Sequence, residues 1–321
     1  MKKSKLDTYD LTGSIHTLQL KTQDEALPVQ EYIENKTIKK FSSYSDGTTF
    51  SVTLNPNKLE GDILTYGEFR KIFRKILSQM GIQDYNLLRV DFRLDNYEPE
   101  HYEKFQKLNR YLISLMAVSR SVKNKYRTTD LFTQKQLSVA IKNEYMELEN
   151  YDRNAKNEVT GNVTEPAQAR LEERTKSRQW RKLRTREPDL SELDRLCKEF
   201  MEIWSDRWEK ALKCRQQAHD RYNEELVKIY VEGKDTFPVQ FRSLTDFLIQ
   251  YQNCIFCRAQ LIDLLTRLKE ADPSLEYKDP EKKADNFKRR YGIEYFSLSD
   301  VRTAVLEIAR ATNFFFTTLS E

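Results

Sequence analysis

Glycine is scarce in this chain, 8 among 321 residues, and none of the glycines falls into a GxxxxGK[ST] or GxGxxG pattern. Phosphate cradles of those kinds need backbone without side chains at fixed offsets, so a P-loop or dinucleotide-binding fold has no support. Histidine is scarcer still: His16, His101 and His219 lie too far apart to build HExxH or a pair flanking one apolar residue. A metal site would have to rely mainly on carboxylates, whose hard oxygens suit Mg²⁺ or Mn²⁺ rather than zinc. No run of 18 consecutive apolar residues occurs, and the opening MKKSKLDTYD has basic residues with no apolar stretch behind them. Neither a spanning helix nor a secretory signal is expected, and the expected location is the cytoplasm.

Cysteine is short too. Cys197, Cys214, Cys254 and Cys257 fit a reduced intracellular protein better than a disulfide scaffold. The CxxC in NCIFC invites a zinc reading, yet it sits in LTDFLIQYQNCIFCRAQLIDLLTRL, where apolar spacing favours a buried helix and no second CxxC completes four ligands. Small core residues are the preferred reading. An excess of one charge is also missing: 54 basic and 50 acidic residues leave a net charge of +4, so the distribution has to speak for any polyanionic partner. One run stands out, with Arg174, Lys176, Arg178, Arg181, Lys182, Arg184 and Arg186 uninterrupted by any acid. Such a run attracts phosphate through counterion release, and Trp180 inside it offers a stacking surface. A solvated helix start around a buried tryptophan is the equally balanced alternative.

The first half of the chain carries mixed patterns. IHTLQL and TTFSVTL have strand character, whereas YGEFRKIFRKILSQM puts Phe69, Ile72, Phe73, Ile76 and Met80 on one helical face. LLRVDFRL then predicts a strand and HYEKFQKLNRYLISLMAVSRSV a long amphipathic helix. LSVAIKN, YMELENY and ARLEERT are further strands, the last two separated by a polar loop, DRNAKNEVTGNVTEPAQ. Beyond Pro188 helical periodicity takes over, through LSELDRLCKEFMEIWSDRW, SLTDFLIQYQNCIFCRAQLIDLLTRLKE and SDVRTAVLEIARATNFFF, with turns at Pro273 and Pro280. The expected fold class is α+β: an antiparallel-sheet domain with helices over residues 1–186, followed by an all-helical module over 187–321.

Three strand patterns carry candidate chemistry. In RVDFRLD the two-residue period places Arg89, Asp91, Arg93 and Asp95 on one face and Val90, Phe92 and Leu94 on the other. That face is either a solvated sheet surface or one wall of a metal cleft. YMELENY repeats the device, with Tyr145, Glu147, Glu149 and Tyr151 on one face, and Asp152, Arg153 and Lys156 follow directly. A phenol is a poor nucleophile at neutral pH, because its pKa is near 10, but a nearby cation stabilises both the phenolate and the charge that develops during attack on phosphorus. The plainer reading of such a tyrosine is amphipathic packing. ARLEERTK puts Arg170, Glu172 and Arg174 together, either as an ion-paired strand or with Glu172 joining Asp91 on a metal.

In order, these segments resemble the rolling-circle replication initiators of small Gram-positive plasmids and the related relaxases of conjugative elements, the Rep_trans type. That family has a TLNPNKL-like segment, a helix, an RxDxxxD strand, a strand ending in YNK and an RxExxxK strand. Their counterparts here are Asn55-Pro56-Asn57-Lys58-Leu59, the helix from Tyr66 to Met80, Arg89/Asp91/Asp95, Tyr151-Asp152-Arg153 and Arg170/Glu172/Lys176, spanning roughly residues 48 to 180. The resemblance implies an HUH-like nicking domain in which Tyr151 attacks the scissile phosphodiester, leaving a 5′-phosphotyrosine and a 3′-OH for a polymerase. It implies Mg²⁺ or Mn²⁺ on Asp91 and Glu172 with Asp95 assisting, and Arg153 or Lys156 neutralising the phosphate oxygens. It also implies plasmid origin DNA as substrate, a homodimer, and a host helicase recruited to the nick. Upstream of the tyrosine, FTQKQLSVAIKNEYMELENY departs from the family's YFGxR-like stretch and leaves both Tyr151 and Tyr145 in play.

The C-terminal helices are longer than that family leads one to expect, and their basic segment FKRRYGIEYF suits either origin DNA or helix packing. The main rival is a non-catalytic replication or regulatory protein that binds duplex DNA through the basic run and the helical half. A helical interaction protein without nucleic acid is the third reading.

Overall fold

The computed structural model describes residues 10–61, 63–119, 138–142, 146–161, 168–176, 178, 191, 210–235 and 240–317. Seven strands form one sheet: β1 (Leu11–Thr22), β2 (Ile38–Ser43), β3 (Phe50–Leu54), β4 (Asn86–Asn96), β5 (Ser138–Lys142), β6 (Met146–Asp152) and β7 (Ala169–Lys176). Their order is β2-β3-β1-β4-β7-β6-β5, and every pairing is antiparallel. Between and after them come helices α1 (Gln30–Glu34), α2 (Asn57–Glu60), α3 (Tyr66–Gln79), α4 (Tyr102–Ser119), α5 (Arg153–Thr160), α6 (Arg215–Asp235), α7 (Leu244–Gln250), α8 (Arg258–Ala271), α9 (Pro280–Tyr291) and α10 (Leu298–Thr317). The α+β class and the antiparallel sheet are as the sequence pattern predicts.

Alternation decides which side of the sheet is greasy. Val90, Phe92 and Leu94 of β4 join Ile15, Leu18 and Leu20 of β1 in the hydrophobic core. Helix α3 covers this side because Phe69, Ile72, Phe73 and Ile76 repeat at helical spacing, and a reciprocal capping box between Thr65 and Glu68 fixes where it starts. Helix α4 lies along β5, β6 and β7. The last helix returns to the same side: Phe316 of α10 stacks on Phe92 with ring centroids 5.5 Å apart and meets Tyr66 of α3 at 5.5 Å. Gly13 permits this approach, since a Cβ there would stand 2.8 Å from Phe92 Cζ and 2.9 Å from the Ala311 carbonyl oxygen. The expected boundary between residues 186 and 187 lies outside the described residues, as do Cys197 and Trp180. Helix α10, from the far end of the chain, shares the core of the sheet.

Four local expectations need revision. The segment expected as a polar loop contains α5, which Asp152 starts by accepting the Ala155 N–H at 2.9 Å and Gly161 ends in the left-handed conformation at φ 67°. Strand β2 carries too few apolar residues to announce itself and forms because β3 offers it an edge. Residues 243–270 are not one helix; they break between α7 and α8 around a short 3₁₀ turn, Gln252–Cys254. Cys254 is buried as a small core residue, while Cys257 caps α8 by accepting the Gln260 N–H at 3.5 Å. Pro280 does not mark a turn as expected: at the first helical position, capped by Asp279, it starts helix α9. No helix among the described residues is long and apolar enough to cross a membrane.

Candidate active site on the polar face of the sheet

The side of the sheet opposite the core is built from charge. Register sets Asp95 opposite Arg170, Arg93 opposite Glu172 and Asp91 opposite Arg174, while on the next strand Tyr151 opposes Arg170 and Glu149 opposes Glu172. Three neighbouring strands therefore place the candidate residues side by side, and sequence distances of 19 to 83 positions collapse to contact.

Tyr151, 3% exposed, sits at the centre. Its hydroxyl donates to Glu172 Oε2 at 3.0 Å and accepts from Arg170 Nη1 at 3.2 Å. The Lys156 ammonium lies 4.2 Å from its ring centroid and the Arg153 guanidinium 5.8 Å, both carried by the first turn of α5. Burial raises the Tyr151 pKa, and Glu172 adds to the rise against the pull of Arg170. Burial would raise Glu172 as well, but Arg174, Arg170 and the Tyr151 hydrogen bond outweigh it and hold the carboxyl below its usual range. Both shifts keep the proton on the phenol.

Arg174 occupies the acidic part of the face. Its Nε is 3.0 Å from Glu172 Oε1 and 3.8 Å from Asp91 Oδ2, its Nη2 is 2.7 Å from Glu149, and its Nη1 contacts Glu147. This residue begins the basic run in the sequence, yet the fold turns it inward to carboxylates rather than outward to phosphate. Lys176 follows on the same strand, half-buried, and Arg178 is exposed. Arg181, Lys182, Arg184 and Arg186 lie outside the described residues, as does Tyr145.

Asp91 is paired with Arg89, and burial pushes its pKa up to about 6, with the neighbouring Glu172 charge adding to the rise. Two buried carboxylates that repel one another are the oxygen donors a hard divalent ion relieves, and Mg²⁺ commonly takes only one or two carboxylates and fills its shell with water and substrate phosphate. In this structure Arg89 holds both Asp91 oxygens, and Arg174 and the Tyr151 hydroxyl hold those of Glu172, so a divalent ion would have to displace these arginines. Asp95 is gripped at both oxygens too, by the buried Arg170, at 2.5 and 2.8 Å. Among the described residues no group of three or more His, Cys, Asp or Glu side chains is disposed to hold a metal ion.

The fold also adds residues that sequence reasoning missed. His16 stands at a bulge in β1, between the Ile15 and Thr17 registers, with Nδ1 3.7 Å from Glu172 Oε2. Burial, then the charges of Arg170, Arg93 and Lys39, drive its pKa well below the usual value, so it meets Glu172 as a neutral ring. Asn57, from the TLNPNKL segment, secures this bulge by donating to the Ile15 carbonyl at 2.9 Å while its oxygen accepts the Ile63 N–H at 3.1 Å. Lys39 reaches over from β2 to Thr17 Oγ1 at 2.9 Å. Its side chain is exposed overall, but desolvation of the ammonium lowers its pKa to about 8 despite the attraction of Glu172 and Asp91. With Lys58 and Lys156, also exposed, it gives the acidic floor a basic rim. No periodicity marks His16 or Lys39; only the pairing of β1 and β2 with β4 and β3 brings them here.

No family model matches the sequence, and no curated protein matches it. Among solved structures the chain is similar to the rolling circle replication initiator protein from Geobacillus stearothermophilus, with 13% identity over 52% of this chain and 74% of that chain and a TM-score of 0.26. A likeness this distant assigns no residue roles, and the chemistry rests on the cleft.

Proposed function

We propose that this chain is a metal-dependent DNA strand-nicking enzyme of the replication-initiator kind, working from an HUH-like sheet with Tyr151 as nucleophile. The observation that carries the reading is the phenol of Tyr151 set between Glu172 and Arg170, on the same charged face as Asp91. Bond by bond, the Tyr151 oxygen attaches to phosphorus, the bond from phosphorus to O3′ breaks, and the phenolic proton, handed over through the Glu172 oxygen that accepts the Tyr151 hydroxyl, ends on O3′, which leaves Glu172 ionised. A 5′-phosphotyrosine and a free 3′-OH result, with no change of oxidation state. Asp91 and Glu172 would hold Mg²⁺ or Mn²⁺, which when bound polarises the scissile phosphate. Arg153 and Lys156, beside the phenol ring, supply positive charge toward the phosphate oxygens. The basic rim steers the DNA backbone to the acidic floor. In this reading the DNA is a plasmid origin, the partners are a host helicase and a polymerase, the working form is a homodimer, and the setting is the cytoplasm.

The burial of Tyr151 favours one alternative, a non-catalytic DNA-binding replication protein. The two part on a single experiment: incubate the chain with Mg²⁺ and a supercoiled plasmid carrying its coding sequence and flanking DNA. A nicked circle with a covalent adduct on Tyr151, located by mass spectrometry and abolished in Tyr151→Phe, is the expected result. Salt-sensitive binding that survives EDTA, without any cleavage, means the alternative is correct.

A further inference from the structure

The resemblance makes Asp95 a helper at the metal, and the geometry points elsewhere. Arg170 is 1% exposed, and its fork grips Asp95 with Nε at 2.5 Å from Oδ1 and Nη2 at 2.8 Å from Oδ2. Arg93 Nε adds a contact 3.2 Å from Oδ2. Asp91, Glu172 and Asp95 are all buried, but the Arg89 that grips Asp91 is 33% exposed, whereas Arg170 is sealed in with Asp95. What Arg170 keeps for the chemistry is Nη1, which donates to the Tyr151 hydroxyl at 3.2 Å. Asp95, Arg170 and Tyr151 stand directly opposite one another across β4, β7 and β6. The carboxylate thus fixes the guanidinium and the guanidinium fixes the phenol oxygen.

We propose that Asp95 is a positioning residue for Arg170 rather than a metal ligand, and that Arg170 is a catalytic residue that orients the Tyr151 oxygen and balances the negative charge arising there. This rests on the nicking reading above. A planar guanidinium with two of its donors locked has little freedom left, so its remaining N–H is preorganised toward one point. Charge that appears on a buried oxygen beside such a donor is stabilised without solvent having to reorganise. When the phosphotyrosine is attacked by a 3′-OH, the Tyr151–phosphorus bond breaks and the same oxygen leaves with the same charge. One arginine therefore serves cleavage and rejoining alike. Using Asp95 as a ligand would strip Arg170 of its counter-charge in a place water does not reach, which the fold resists.

The test uses the full chain with Mn²⁺ alone, followed by electron paramagnetic resonance, and then single-turnover nicking of the supercoiled plasmid described above. Asp91→Asn and Glu172→Gln should each weaken Mn²⁺ binding at least tenfold, while Asp95→Asn leaves it within about twofold of the parent. Arg170→Gln should slow nicking by about 10² to 10³-fold, the usual cost of losing one preorganised donor. Asp95→Asn should slow it less, Asp95→Glu should recover part of the rate, and adding Asp95→Asn to Arg170→Gln should cost nothing more. Should Arg170→Gln alone fail to fold, the double variant, with two neutral amides facing each other, is compared with Asp95→Asn for the same answer. Loss of Mn²⁺ by Asp95→Asn to the extent seen in Asp91→Asn overturns the assignment, as does a double variant whose defect is the product of the two single ones. Nicking by Tyr151→Phe instead removes the reading beneath it, and leaves the Mn²⁺ comparison to stand by itself.

Discussion

Along β4, Val90, Phe92 and Leu94 turn to the side of the hydrophobic core, where they face Thr175, Glu173 and Leu171 of β7 and where Phe92 packs with Phe315 and Phe316 from the far end of the chain. Arg89, Asp91, Arg93 and Asp95 turn to the other and meet the arginines and carboxylates of β7. Both sides of this strand are buried, yet their energetics differ in kind. Apolar contact stabilises in proportion to the area removed from water, roughly 25 cal/mol per Å². Buried ion pairs largely cancel against the cost of stripping water from their charges, so the polar side contributes little net stability for the material it uses. With so little net gain on the polar face, the apolar face has to carry the fold.

Breaking the apolar side should have the largest effect on stability. Phe92→Ala opens a cavity beneath Phe315 and Phe316 and should cost about 3–5 kcal/mol, a figure typical of buried phenylalanines. Thermal unfolding followed by circular dichroism reads it directly, and a drop of only a degree or two would show that α10 does not seal this core. The matched change on the polar side is Asp95→Leu with Arg170→Met, which replaces a buried ion pair by hydrocarbon of similar bulk. It should leave the midpoint unchanged or raise it by the equivalent of about 1–4 kcal/mol, while nicking is lost. If the double variant unfolds as easily as Phe92→Ala, the polar face is structural and the contrast between the two sides fails.

How much of this was legible beforehand follows the same division. Alternation in RVDFRLD, MELENY and ARLEERTK put Asp91, Glu149, Tyr151 and Glu172 on faces that the fold then aligned, because a two-residue period leaves no freedom once one side is apolar. Partnership was not legible. Nothing in the sequence distinguishes Asp91, gripped by the half-exposed Arg89, from Asp95, gripped by the buried Arg170, since both are aspartates on the same face of one strand. Arg174 looked like the start of a phosphate-binding run, and only cross-strand register shows it opposite Asp91 and Glu147. His16 and Lys39 belong to strands far from the motifs, and pairing order alone delivers them. The cap signals for α5 and α9, by contrast, were present in Asp152, Gly161 and Asp279-Pro280, and they were outweighed by the polarity of the segments between.

The helical half offers a smaller test of the same principle, that a polar group buried away from the cleft serves packing. His219 on α6 is hydrogen-bonded to the Tyr111 hydroxyl at 2.6 Å and lies 4.0 Å from Cys257 Sγ, and it stacks against the Tyr111 ring. Burial, then repulsion by Arg215, lowers its pKa to about 4, against the attraction of Asp220 and Asp263. The native state therefore refuses a proton that the unfolded chain accepts near pH 6.5. Stability tied to this group is present above pH 6.5 and is lost as the pH falls toward 4, by at most about 3 kcal/mol. His219→Gln keeps a partner for Tyr111 and cannot titrate, so its deficit relative to the parent should shrink as the pH is lowered from 7 to 4. Unfolding midpoints at three pH values in that range settle it: curves that stay parallel mean that His219 is not held neutral by its surroundings, and converging curves mean that packing sets its charge.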